Sequence, residues 1–260
     1  MSVALITGGS RGLGLALARA LAERDWQLVI DARGGSALAD VGCELAAVTT
    51  VRVVTGDVAD ADHRRALMEA VGELGGLDLL VNNASVLGPS PQPALAEYPL
   101  EVLRHVFEVN TLAPLALIQL ALPALRASAD AGADSSGSSD SSGSGARGGR
   151  IVNITSDAAV EAYEGWGGYG SSKAALEQLS RVLAEECPGL RVYHADPGDL
   201  RTQMHQEAFP GEDISDRPLP DVAIPGLLAL VSGDLPSGRY RLQDIAPAAP
   251  QEPVVEATVS

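Results

Sequence analysis

Lysine is all but missing from this sequence: of its 18 basic residues only Lys173 is a lysine, and arginine fills every other basic position. Positive charge as a whole is scarce, since 34 acidic residues leave a formal charge of -16 and a pI near 4.5. Such a chain repels phosphate backbones and anionic lipid, and no basic patch offsets that. Nucleic acid and membrane surfaces are therefore disfavoured as partners, and small-molecule chemistry is favoured. Aromatic side chains make up only 3%, so a core must be built from Ala, Val, Leu and Ile, which a hydrophobic content of 46% supplies. The two cysteines, Cys43 and Cys187, lie in unrelated segments with no CxxC spacing. They read as reduced and structural, which argues against a disulfide framework and a zinc site, and no metal is expected. Met1 to Gly9 has no basic leader, and no apolar stretch is read as reaching the ~18 residues of a membrane span. A soluble, cytoplasmic protein is the expectation.

At 260 residues the length suits one large α/β domain or two small ones, and patterning decides between them. Val3 to Thr7, Gln27 to Asp31, Val51 to Thr55, Leu77 to Asn82, Arg150 to Ile154 and Leu190 to Ala195 read as strands, with helical stretches between them. Several are apolar on both faces, as in Val3-Ala4-Leu5-Ile6, which is the mark of parallel strands covered by helices on each side. The expected fold is α/β, a single doubly wound parallel sheet of the Rossmann kind over residues 1–245. Two helices stand out, Pro99 to Arg126 and Tyr169 to Glu186. Between the first and the strand at Arg150 lies a Ser/Gly/Asp-rich tract, residues 128–149, with almost nothing to bury, and it is expected to be disordered. A helix-to-strand connection lies at the edge of the sheet away from the ligand-binding end, so the tract should stay clear of the chemistry. Residues 246–260, rich in Pro and acid, read as a flexible tail.

The first strand runs into Thr7-Gly8-Gly9-Ser10-Arg11-Gly12-Leu13-Gly14 and then an Ala/Leu-rich helix. Glycines at 8, 12 and 14 let the backbone turn, approach a pyrophosphate closely and aim a helix N-terminus at its charge. In a chain of 28 glycines the motif alone could be punctuation, but its place between strand and helix favours the binding reading. Tyr169-Gly170-Ser171-Ser172-Lys173 places a phenol and an ammonium one helical turn apart on one face. A nearby positive charge favours the phenolate, so the pair suits proton transfer, and the only lysine of the chain stands where a compact titratable cation is needed. Ser156 closes the strand through Ile154 and faces the ligand-binding crevice, though a serine there is more often a turn residue. Asn110 sits inside a helical pattern that it suits poorly, which suggests a local kink or a polar task.

Together, and in this order, Thr7-Gly8-(x)3-Gly12-Leu13-Gly14, Gly56-Asp57-Val58, Asn82-Asn83-Ala84-Ser85, Asn110, Ser156, Tyr169-(x)3-Lys173 and Pro197-Gly198-(x)3-Thr202 resemble the short-chain dehydrogenase/reductase family over almost the whole chain. The resemblance implies that Asp57 and Val58 hold adenine and that Asn82, Asn83 and Ala84 support the central strand beside the cofactor. It implies that Lys173 binds the nicotinamide ribose and lowers the pKa of Tyr169, and that Pro197, Gly198 and Thr202 meet the nicotinamide end. Asn110 would hold a water that links Lys173 to solvent. Ser85 departs from the family's usual glycine, and the segment after Thr202 looks short for a substrate lid.

The expected activity is hydride transfer between a nicotinamide dinucleotide and a carbonyl or secondary alcohol on a small organic substrate. Tyr169 would be general acid or base, and Ser156 would donate to the oxygen as charge develops on it. A cofactor sensor or scaffold on the same fold, or a dehydratase or epimerase, is the alternative. NADP is expected over NAD from the end of the second strand, Asp31-Ala32-Arg33. Counted as the family counts, Arg33 falls where a base grips the 2′-phosphate, and Arg11 adds a second charge. Asp31 falls one residue early and should turn away, unless a bulge brings it to the ribose and selects NAD. The resemblance also implies a homodimer or homotetramer built on the two long helices. Val86 to Pro93, Val160 to Trp166 and Asp199 to Phe209 should line the substrate pocket, but they do not name the substrate.

Overall fold

The computed structural model describes residues 1–135 and 149–245. Seven strands, β1 Val3–Ile6, β2 Gln27–Ala32, β3 Val51–Thr55, β4 Leu79–Asn82, β5 Arg150–Ile154, β6 Arg191–Asp196 and β7 Gly238–Arg241, form one sheet. Their order is β3-β2-β1-β4-β5-β6-β7, and every pair is parallel. The chain moves outward from β1 to β3, returns to the middle, and moves outward the other way from β4. The carboxyl ends of β1 and β4 therefore flank the crevice that such a reversal opens.

The helices are α1 Gly12–Ala22, α2 Gly35–Ala46, α3 Ala61–Glu73, α4 Leu100–Phe107, α5 Ala113–Ser135, α6 Gly167–Glu186, α7 Gln203–Ala208 and α8 Ile224–Ser232. They cover both faces of the sheet, and alternation along each strand decides which residue meets which layer. Ala4 and Ile6 of β1 with Leu28 and Ile30 of β2 join Leu17 and Leu21 of α1 and Leu227 of α8. Val3, Leu5 and Val29 turn the other way, to Leu67 and Val71 of α3 and Leu117 and Ile118 of α5. Both layers are mostly aliphatic, as the scarcity of aromatics requires, with Tyr193 the buried aromatic of the first.

Several sequence expectations need correction. The seventh strand was not foreseen: Gly-Arg-Tyr-Arg is short, polar and half-exposed, and as an edge strand it pairs only with β6. The helix expected over Pro99 to Arg126 is broken by a π segment, Glu108–Leu112, centred on Asn110, and then continues to Ser135. The first part of the tract expected to be disordered is thus helical, because Ala129 still packs on the α3 to α5 layer. Residues 136–148, and the tail 246–260, lie outside the described residues. The run Leu100–Ala131 also reaches the length and mean hydropathy, 1.4, of a membrane span, against the expectation of none. Polar residues interrupt it, but its average is high because one face packs on the sheet while Leu112 and Leu120 point outward.

Candidate active site

The sequence from Gly8 to Gly14 makes a tight turn that only glycine permits at two points, Gly8 with φ +69° and Gly12 with φ +57°. At Gly14 the constraint is space: a Cβ would stand 2.5 Å from the Gly8 carbonyl oxygen and 2.6 Å from Asn83 Nδ2. The turn delivers the first turn of α1 with no side chain capping its amides and no acidic residue beside them, so its donors are available to an anion. Gly8 N–H donates to Asp31 Oδ1 at 2.7 Å and Gly9 N–H to the Asp31 carbonyl oxygen at 2.8 Å. Asp31 therefore grips the loop with both side chain and backbone. Its other carboxylate oxygen lies 2.8 Å from His63 Nε2 on α3, and both side chains are buried. Strand alternation explains the pairing: Asp31 shares the face of Val29, toward α3, while Ala32 turns toward α1 and α2.

A cleft of about 1200 Å3 opens above the carboxyl ends of the strands. That exceeds the roughly 300–1,000 Å3 of a single small-ligand pocket and leaves room for a dinucleotide with a substrate beside it. Gly8, Ser10, Arg11, Gly12, Leu13, Arg33, Asp57, Val58, Asn83 and Ala84 line one end, and Ser156, Tyr169, Lys173, Pro197 and Gly198 the other, with Thr202 reaching back over Gly12. Thr7, Gly14 and Asn82, counted among the cofactor residues, and Asn110, expected to hold a water beside Lys173, do not line it. Thr7 Oγ1 instead accepts from Asn83 N–H and Ala84 N–H, both at 3.0 Å, and Asn82 Nδ2 donates to Asn153 Oδ1 at 2.8 Å. These residues shape the cleft from behind. Among the described residues no group of three or more His, Cys, Asp or Glu side chains could hold a metal ion.

Tyr169 and Lys173 are both on α6 and both buried. The ammonium lies 5.6 Å from the phenol ring centre and donates to the Ile154 carbonyl oxygen at 2.8 Å. Burial pushes the phenol above its ordinary range, and its interaction with the Ser85 hydroxyl only partly opposes this. The expected lowering of Tyr169 by Lys173 is not what this geometry gives, because desolvation dominates both groups. Burial pushes Lys173 down to about 7. Asn110 has no side-chain capacity left for a water: Oδ1 accepts from Ser85 Oγ and Val86 N–H, and Nδ2 donates to the Val86 carbonyl and Ser172 Oγ. The π segment turns this amide out of the helix toward the loop after β4, a use typical of such bulges. Ser156 donates to Asp157 Oδ1 at 2.8 Å, so its proton is directed away from Tyr169.

Lys173 carries a pH dependence whose sign follows from its burial. Unfolded, it titrates near 10.5; folded, near 7. Between these values the unfolded chain holds a proton that the fold has released, so stability rises with pH, while below that window the fold bears a buried ammonium in full. Lys173→Met is therefore expected to raise Tm relative to wild type most at about pH 6, with the gap narrowing toward about pH 10. Thermal unfolding across pH checks this, and a gap independent of pH would contradict it.

Sequence reasoning passed over three residues. His63 gave no signal, because its partner is 32 positions away. Arg239, on the unforeseen β7, donates to Glu177 Oε1 at 3.0 Å, Asp196 Oδ2 at 2.9 Å and the Ser156 carbonyl oxygen at 3.3 Å. His205 lies in a segment marked as pocket lining but drew no attention of its own. The pocket segments themselves are placed as expected in part: Val86, Leu87, Tyr163, Trp166 and Asp199 to His205 line the cleft, whereas Val160 is exposed outside it.

Comparison with known proteins adds to this geometry. Residues 2–213 match the family model described as short chain dehydrogenase. A rhamnolipid-biosynthesis 3-oxoacyl-[acyl-carrier-protein] reductase of Pseudomonas aeruginosa is 37% identical over 205 residues, 78% of this chain and 74% of that protein. A 1-deoxy-11-beta-hydroxypentalenate dehydrogenase of Streptomyces arenae is 41% identical, over only 47% of this chain and 44% of its own length. Among solved structures, a short chain dehydrogenase of Pseudomonas syringae superposes with a TM-score of 0.80 at 29% identity, covering 93% of this chain and 94% of that one. One from Escherichia coli, complexed with NADPH, gives 0.74 at 25% identity over 93% and 96%.

Proposed function

Since the chain belongs to the short-chain dehydrogenase family, a family of NAD(P)-dependent oxidoreductases acting on CH–OH groups, we propose that it uses NADP(H) to interconvert a carbonyl and a secondary alcohol on a small organic substrate. The observation that carries the reading is the pairing, across one cleft, of an uncapped helix N-terminus behind Gly8 to Gly14 with Tyr169, Lys173 and Ser156 at the far end. The open amides of α1 and the glycine turn that leads into them fit a pyrophosphate, and Lys173, with Pro197, Gly198 and Thr202, would hold the nicotinamide end. The dinucleotide supplies the hydride.

The chain's own groups manage the proton. Tyr169, kept protonated by burial, donates from its hydroxyl to the carbonyl oxygen in reduction and takes the proton back in oxidation. Ser156 donates to the same oxygen once its proton turns from Asp157, where it rests in the free enzyme. Trp166 and Leu87 pack around the phenol and exclude water from it. The NADP preference rests on Arg33, exposed on the cleft rim, and on Asp31, which also lines the cleft but whose two carboxylate oxygens are each already engaged, by Gly8 and by His63. Bound NADPH in the Escherichia coli relative supports it.

The test is NADPH oxidation by the purified chain against a panel of ketones and aldehydes, with cofactor binding followed separately. Bound cofactor without turnover of any carbonyl compound would defeat the reading. The same reading includes a homo-oligomer joined through α5 and α6, where Leu120 and Val182, with Leu112 just before α5, are apolar and exposed. Light scattering is expected to give a multiple of 26.7 kDa, and a monomer at micromolar concentration would exclude it.

A further inference from the structure

His205 stands on α7 with its side chain nine-tenths buried, and it lines the cleft at the substrate end. Its ring packs on Phe209, with centroids 5.0 Å apart. Nδ1 faces Asp199 Oδ1 at 3.9 Å, which favours the tautomer protonated on Nδ1 and leaves Nε2 with a lone pair. Nε2 is buried and has no hydrogen-bond partner among the described residues. A fold gains nothing from an unpaired buried nitrogen, so its use must lie in what it binds.

The walls around it describe the rest of a ligand. Of two tryptophans, two phenylalanines and five tyrosines in the whole chain, Tyr163, Trp166, Tyr169 and Phe209 line this end of the cleft. Ring contacts lead from Tyr169 to Trp166 at 5.8 Å, from Trp166 to Phe209 at 6.0 Å, and so to His205. Met204 and Ala208 pack against the same cluster. A chain so poor in aromatics has placed nearly half of them here, on a surface suited to an apolar body.

Resting on the oxidoreductase reading above, we propose that His205 determines substrate choice: its Nε2 accepts a hydrogen bond from a second, uncharged donor, a hydroxyl or N–H, on an apolar substrate whose carbonyl meets Tyr169. A carboxylate in that place would face Asp199 and find no proton on Nε2. A methyl group there would leave the nitrogen buried and unpaired, and a site built to bond a donor rejects such an analogue strongly.

The experiment compares para-hydroxyacetophenone with para-methylacetophenone, and the corresponding ring-substituted cyclohexanones, as substrates with NADPH. Wild type is expected to favour the hydroxyl member of each pair by roughly tenfold or more in kcat/KM. His205→Phe keeps the stack on Phe209 without the acceptor, and it should abolish that preference while sparing the methyl-substituted member of each pair. His205→Gln, with an amide oxygen as acceptor, should restore part of it. An unchanged preference in His205→Phe overturns the proposal. An equal loss for both members, with NADPH binding intact, overturns it too, because it makes His205 a residue of the fold alone. No turnover of any ketone by wild type defeats the oxidoreductase reading itself, which is a separate outcome.

Discussion

Tyr169→Phe is expected to lower kcat/KM for carbonyl reduction by roughly 10²–10⁴-fold, the usual worth of a positioned general acid, while NADPH still binds. The fold should barely notice. The ring packs on Trp166 at 5.8 Å and on Leu87 and Ala158, contacts that phenylalanine keeps. Only the hydroxyl and its bond with Ser85 are lost, and Ser85 retains Asn110 Oδ1 at 3.0 Å. The variant thus separates chemistry from structure: unfolding and NADPH fluorescence should match wild type, and turnover should not. Equal rates for the two proteins would remove Tyr169 from the mechanism. Because burial keeps the phenol protonated, the free enzyme is set to give a proton rather than take one, and the loss should be read first in the reducing direction.

The second large effect lies at the other end of the cleft, where two substitutions only two residues apart should behave differently. Arg33→Ala should raise the KM for NADPH by roughly tenfold to a hundredfold and leave NADH unaffected, since a charge-assisted pair to phosphate contributes about 1.5–3 kcal/mol. Asp31→Ala should weaken both cofactors by a similar factor, because it frees Gly8 N–H and strands the buried His63 beside it. If Asp31 instead selected NAD, its removal would weaken NADH alone and favour NADPH. Steady-state kinetics with each cofactor separate the two outcomes.

The sheet was legible because its inner strands are apolar on both faces and its crossovers carry clear helical patterns, and six of the seven strands were read within two residues of their ends. β7 was not, since an edge strand of glycine, arginine and tyrosine carries no period that a buried strand must have. The motifs of the cleft were legible because glycine turns and a Tyr-(x)3-Lys helix are local. What escaped was set by distance along the chain: His63 reaching Asp31, Ser85 reaching Tyr169, and Arg239 reaching Ser156 from 83 positions away. The ionisation of Tyr169 departs from expectation for a related reason. Spacing places two charges near each other, but only packing decides how much water remains around them.

The bonds of Arg239 bear on when, during its making, the chain becomes an enzyme. β7 leaves the ribosome after the other described strands, yet its Arg239 neutralises the buried Asp196, shares Glu177 with Arg181 and steadies the backbone of Ser156. A nascent chain halted at Ser232 would hold the glycine turn, Tyr169 and Lys173, but Asp196 would be buried without a cation and Glu177 left with Arg181 alone, a state that folds poorly. Cofactor capture and catalysis should therefore begin together, late in synthesis, rather than in the order in which their motifs are translated. Stalled chains of increasing length, assayed for NADPH binding, should show a single onset as β7 emerges.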